Sequence, residues 1–295
     1  MNWKSLPVLF FIVVIAGCST PNREVRISDA PSALSTRGNR ILIPAKINGH
    51  PVRFIFDTGA DIAYLTVEAA QRLGLPTTRP LSATNSWMVG LTPPCALTIS
   101  GDTHQQRFPV IEMGGPMGTH FLADGFLGWL CYSKSIFRID ATNLSVTAYN
   151  KVPDEVKTWM KFRLKPLSSK FIFEVPLPNG SVGDVFVDSG APEGVGLYPE
   201  KWAGWKAEHP QYPLFVSRTY MPYQRTGVVF QEGMIADKIS LGPLELTKVQ
   251  VGETTSISNQ QYSAPRRLAT MGMMALKRMD VVVDAKHGFV YIRPR

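Results

Sequence analysis

Two short stretches of the chain read almost alike. Phe54-Ile55-Phe56-Asp57-Thr58-Gly59-Ala60 and Val185-Phe186-Val187-Asp188-Ser189-Gly190-Ala191 each set an aspartate at the end of an apolar run, followed by a hydroxyl residue, glycine and alanine. Burial there disfavours the ionised carboxyl, so something must compensate. If the two runs are strands that meet across a pseudo-twofold axis, the carboxyls come within hydrogen-bond distance and cannot both ionise easily. They then share one proton over a useful pH range, and the pair holds an acid and a base at once. Gly59 and Gly190 permit a tight turn and close backbone approach, while the Thr58 and Ser189 hydroxyls can donate to carbonyls across the interface. A single Asp-Thr/Ser-Gly is also ordinary turn chemistry. The weight lies in its occurring twice in matched surroundings.

The elements that must position these residues are duplicated too. Asn48-Gly49 pairs with Asn179-Gly180 at the offset that separates the aspartates, 188 − 57 = 131, and Asn-Gly between apolar runs is a strong hairpin signal. Further on, Leu127-Gly128 and Ile139-Asp140-Ala141 pair with Met271-Gly272 and Val283-Asp284-Ala285 at an offset of 272 − 128 = 144. The second copy is therefore longer by 144 − 131 = 13 residues between these blocks, as a surface loop or flap tolerates. Thr66 is placed to cap a helix over Val67–Leu73 that Gly74 ends, and Pro199 to start one in the second copy. Ala96–Ile99, Phe108–Ile111, Ile239–Leu246 and Val281–Ile292 read as strands. The fold expected is mainly β, with two homologous β-barrel lobes related by a pseudo-twofold axis and few short helices.

Asp57-Thr58-Gly59-Ala60 and Asp188-Ser189-Gly190-Ala191, with the downstream triplets Phe126-Leu127-Gly128 and Thr270-Met271-Gly272, resemble the two halves of a pepsin- and retropepsin-like aspartic protease, here both on one chain as in two-lobed bacterial retropepsin-like proteins. Thr270 departs from the usual apolar residue. The resemblance spans about residues 38–295 and implies an endopeptidase in which Asp57 and Asp188 activate a water held between them, supported by Thr58, Gly59, Ser189 and Gly190, with no metal or cofactor. Hairpin flaps would come from the segments near Trp87 and Gly90 and near Tyr223, making these candidate substrate contacts. Ala60 and Ala191 carry no hydroxyl where pepsin-like lobes have threonine, which implies less extreme acid dependence. The competing reading keeps the fold and uses the groove only to bind a peptide or envelope partner.

The chain's beginning reads as an address. Lys4, the apolar run Leu6–Ile15 and Ala16-Gly17 before Cys18 form a signal peptide, too short to span a bilayer. Ile15-Ala16-Gly17-Cys18 resembles the lipobox of bacterial lipoproteins, which implies a lipid anchor on Cys18, and Ser19 suggests the outer membrane, facing the periplasm. The expected organisation is a leader (1–18), a flexible tether (19–37), a first lobe (38–152), a connection (153–170) and a second lobe (171–295). A monomer is expected, since both aspartates lie on one chain. Cys95 and Cys131 could bond in an exported body, or remain buried thiols.

Composition narrows the remaining classes. With 295 residues, 44% hydrophobic and 18% charged, the chain can bury proper cores. The net charge of +8 comes from scattered basic residues such as Arg266-Arg267 and Lys277-Arg278, so nucleic-acid binding is not indicated. Three cysteines and five histidines show no metal-ligand spacing. Asp140 and Asp284 read as turn residues, and Gly114, Gly115 and Gly118 as a loop without the spacing or lysine of a phosphate loop.

Overall fold

A computed structural model describes residues 26–27, 40–78, 88–113, 123–165, 170–220, 228–254 and 266–295. Cys18, Trp87, Tyr223, the glycine loop at 114–118, the leader and all of the tether except Arg26–Ile27 lie outside them. The strands are β1 (Arg26–Ile27), β2 (Leu42–Ile47), β3 (His50–Asp57), β4 (Tyr64–Thr66), β5 (Met88–Leu91), β6 (Cys95–Ile99), β7 (Asp102–Gln106), β8 (Pro109–Ile111), β9 (Gly125–Gly128), β10 (Ile136–Asp140) and β11 (Ser145–Tyr149). They continue with β12 (Met160–Leu164), β13 (Ile172–Pro176), β14 (Val182–Val187), β15 (Val195–Leu197), β16 (Leu214–Tyr220), β17 (Val228–Leu241), β18 (Leu244–Glu253), β19 (Arg267–Met271), β20 (Met279–Asp284) and β21 (Phe289–Pro294). Among the described residues three short α-helices accompany them: α1 (Val67–Arg72), α2 (Pro199–Glu208) and α3 (Met273–Leu276). The chain is mainly β, as its sequence implied.

The duplication is visible in how strands pair. β2 and β3 form a hairpin over Asn48 and Gly49, both at positive φ (49° and 84°), as the Asn-Gly turn requires. β3 then lies parallel to β9, β4 antiparallel to β9, and β4 parallel to β8. In the second copy β14 pairs antiparallel with β13 and parallel with β19, while β15 pairs antiparallel with β19 and parallel with β18. The two copies thus wind the same way around their aspartate-bearing strands. What the first copy builds from β5 to β8, the second builds from the long continuous strands β17 and β18, 14 and 10 residues. The local signals hold as well. Thr66 Oγ1 accepts from Ala69 N at 3.1 Å, Gly74 turns at φ +63°, and Pro199 opens α2.

β2 to β9 form one eight-stranded sheet among the described residues, with edges at β5 and β7, alternating buried and exposed along β2. Residues of β10 and β11, however, join the other sheet: β10 pairs antiparallel with β20, giving a continuous order β13-β12-β21-β20-β10-β11. The connection expected at 153–170 contributes β12 to this sheet and buries Trp159 and Phe162. One apolar core runs through both halves, from Phe54, Phe56 and Phe137 to Val185, Met271 and Val283. Arg26–Ile27, within the segment expected to be an irregular tether, pairs parallel with Phe215 and Val216 of β16.

The possible Cys95–Cys131 disulfide does not form; both are free thiols. Cys95 is buried on β6 with its sulfur toward Pro93 O at 3.2 Å, whereas Cys131 belongs to the 3₁₀ turn after β9 and packs at the core's edge. Burial pushes the Cys131 thiol up to about 11, as expected of a small apolar residue rather than a reactive one.

Candidate active site

Asp57 ends β3, and Asp188 directly follows β14, so the two carboxyls stand at the ends of the strands that the copies wind around. Each loop is fixed by its parallel neighbour. Asp57 pairs with Gly128 in register, and Asp188 N donates to Met271 O at 2.9 Å. The triplet glycines are small for a stated reason. A Cβ on Gly128 would lie 2.5 Å from Asp61 C and O, and one on Gly272 would lie 2.5 Å from Glu193 O. Only glycine lets the chain leaving each aspartate loop pass behind it. Thr270, the departure from an apolar residue, is buried and shares a 3.4 Å hydroxyl contact with Thr254.

The loops meet in a reciprocal set of bonds made by Thr58 and Ser189, residues 131 apart. Thr58 Oγ1 donates to Val187 O (2.7 Å) and accepts from Ser189 N (2.9 Å). Ser189 Oγ donates to Phe56 O (2.7 Å) and accepts from Thr58 N (3.0 Å). Both hydroxyl residues are wholly buried, so every donor and acceptor in the set is used. Above this lock each carboxyl rests on the opposite loop's glycine. A Cβ on Gly59 would lie 2.6 Å from Asp188 Cγ, and one on Gly190 would lie 2.5 Å from Asp57 Cγ. The two carboxyls are thus close enough for Asp57 to raise the titration of Asp188.

The two carboxyls have unequal surroundings. Asp57 Oδ1 accepts from Gly59 N (2.8 Å) and Ala60 N (3.2 Å), whereas Asp188 Oδ1 accepts from Ala191 N (3.1 Å). Asp188 titrates well above the usual carboxylate range, because protein crowds its carboxyl and then because Asp57 and Glu193 add negative charge; Arg40 works in the opposite direction. Both aspartates keep partial contact with solvent. Glu193 is raised as well, by desolvation. Beside Asp57, the Tyr64 phenol donates to Asp61 Oδ1 at 2.9 Å and is driven far above its ordinary value by burial and by Asp61. Among the described residues no three His, Cys, Asp or Glu side chains converge to hold a metal ion.

Of the candidates, Asp57, Thr58, Gly59, Asp188, Ser189 and Gly190 come together. Gly90 is buried on β5, with Thr77 Cβ 3.0 Å from where its own Cβ would be. Asp140 accepts from Thr142 N and Asn143 N, and Asp284 from His287 N, both in turns. Sequence reasoning missed Arg40, Lys170 and Glu193. Arg40 and Lys170 had a signal, since each immediately precedes the apolar run that opens its copy (57 − 40 = 17; 188 − 170 = 18). Glu193 had none beyond its nearness to Asp188.

Residues 43–89 match the family model of aspartyl proteases. The match takes in Asp57-Thr58-Gly59-Ala60 and stops before the second loop. No curated protein matches the chain.

Proposed function

We propose that the chain is an aspartic endopeptidase, anchored to the bacterial envelope through Cys18 and acting as a monomer on peptides or unfolded protein segments. The observation that carries this reading is the pair of carboxyls close together over reciprocal glycines, one provided with two amide donors and the other crowded by negative charge. Asp57 is then the ionised member and Asp188 holds the shared proton. A water between them gives its proton to Asp57 as its oxygen attacks the scissile carbonyl carbon, while Asp188 protonates the carbonyl oxygen. In the resulting gem-diol, Asp57 passes its proton to the departing amine nitrogen and Asp188 recovers one from a diol hydroxyl. The C–N bond breaks and the pair returns to its starting state.

The test is to incubate the chain lacking residues 1–18 with denatured protein across a pH series, beside Asp57→Asn and Asp188→Asn. Each substitution is expected to lower the rate at least about 10³-fold, since it removes a group that works as acid and base in turn. Cleavage that survives either one would overturn the mechanism.

A further inference from the structure

Two cations cross between the lobes to the loops that carry the dyad. Lys170, two positions before β13, donates from Nζ to Gly59 O at 2.6 Å; Arg40, two positions before β2, donates from Nη1 to Gly190 O. The positions are equivalent in the duplication, because Phe56 N donates to Ile41 O in one copy and Val187 N to Phe171 O in the other. So each lobe sends one cation to the other lobe's loop, and the lock of Thr58 and Ser189 is a separate set of bonds.

The oxygen each cation holds belongs to a particular peptide group. Gly59 O and Ala60 N are the two ends of one amide, as are Gly190 O and Ala191 N. Ala60 N points to Asp57 Oδ1 (3.2 Å) and Ala191 N to Asp188 Oδ1 (3.1 Å), each sharing its hydrogen with the same aspartate's backbone carbonyl at 3.1 and 3.0 Å. Each amide therefore has a cation from the opposite lobe on its oxygen and a catalytic carboxyl on its N–H. A charge-assisted bond to the oxygen polarises the amide and makes its N–H a stronger donor.

We propose that Arg40 and Lys170 are positioning residues for the dyad, each strengthening, through the opposite lobe's glycine–alanine peptide, the N–H bond that supports the carboxylate beneath it. The inference rests on the dyad reading above. The other titratable groups nearby are the neutral Tyr64 phenol, bonded to Asp61, on the Asp57 side and Glu193 on the Asp188 side. Glu193 favours the protonated form of Asp188, and Arg40 opposes it.

The experiment uses the full-length chain in detergent, labelled with ¹³C at aspartate carboxyls and ¹⁵N at alanine. Lys170→Met is expected to move the dyad's titration upward by about half to one pH unit and to shift the Ala60 amide resonance while leaving Ala191 in place. Arg40→Met should do the reverse for the two alanines. Lys170→Arg and Arg40→Lys should stay near wild type in both readouts, and the pH profile of kcat/KM should follow the carboxyl titration. Where a methionine variant does not fold, the glutamine variant keeps a donor without the charge and is expected to move the titration in the same direction. Unmoved carboxyl titration in the folded variants, or conservative variants that move as far as the neutral ones, would overturn the proposal. A wild type whose aspartates titrate as a coupled pair but which cuts nothing would overturn the protease reading instead, and the carboxyl and amide shifts would still decide this one.

Discussion

At the residue scale, the inequality between Asp57 and Asp188 fixes the sign of two pH effects. The carboxyl of Asp188 titrates above its value in an unfolded chain, so the folded state binds that proton more tightly. Folding stability from this group is present in acid and falls as pH rises through the ordinary carboxylate range and on through the raised value. Asp188→Asn removes that slope, and urea midpoints measured against pH should show the variant gaining on wild type toward neutrality. Activity follows the same proton. The alkaline limb of kcat/KM belongs to loss of the proton from Asp188, so cleavage should persist above the strongly acidic range before it declines. Glu193→Gln removes a negative charge that holds this proton in place and should move the alkaline limb to lower pH. A limb that stays put or rises would remove Glu193 from the account. Thr58→Val strips a buried hydroxyl that both donates to Val187 O and accepts from Ser189 N. The two stranded groups should cost about 2 to 4 kcal/mol, read from chemical unfolding.

At the scale of elements, the sheets show which parts of the site were written locally and which were not. The hairpin turn at Asn48-Gly49, the Thr66 cap and Pro199 at the start of α2 are decided by residues within a few positions, and the sequence displays them openly. The meeting of Asp57 with Asp188 was legible for another reason: duplication repeats the strand, loop and glycine triplet, and a copied fold brings copied ends together. Glu193 follows no such rule, because its effect on Asp188 depends on a path after the loop that only Gly272 makes possible. At Gly90 a side chain would meet Thr77 Cβ at 3.0 Å, a cross-strand approach that the sequence does not display. Two glycine substitutions separate these roles. Gly125→Ala drives a methyl into the Tyr64 carbonyl between β4 and β9 and should leave little folded protein, while Gly49→Ala meets no neighbour and is opposed only by its positive φ of 84°. Soluble yield and circular dichroism of the pair would check this.

At the scale of the molecule, the two copies are joined by more than the dyad. β10 and β11 are completed by β20 and β21, and at this seam Asp280, only 4% exposed, receives Arg138, Arg293 and Arg295. Burial works against ionising this carboxyl and is the largest single influence, yet the three guanidinium groups together hold it well below the usual range. Its stabilisation is therefore complete above the unfolded carboxylate value, about 3.9, and is lost as pH falls through the lower folded value. Asp280→Asn should forfeit it, with a loss of about 3 kcal/mol at neutral pH, because three cations are left facing one another. Because the larger core cluster takes in residues of both copies and the seam joins them, heat should unfold wild type in a single calorimetric transition; two separated transitions would show the copies to be independent. The seam also bears on how the chain is made. When a ribosome has released β10, its partner β20 begins some 279 − 140 = 139 residues later. During that interval the first-made half carries a bare, apolar sheet margin, a natural landing place for a chaperone and for a neighbouring nascent chain alike.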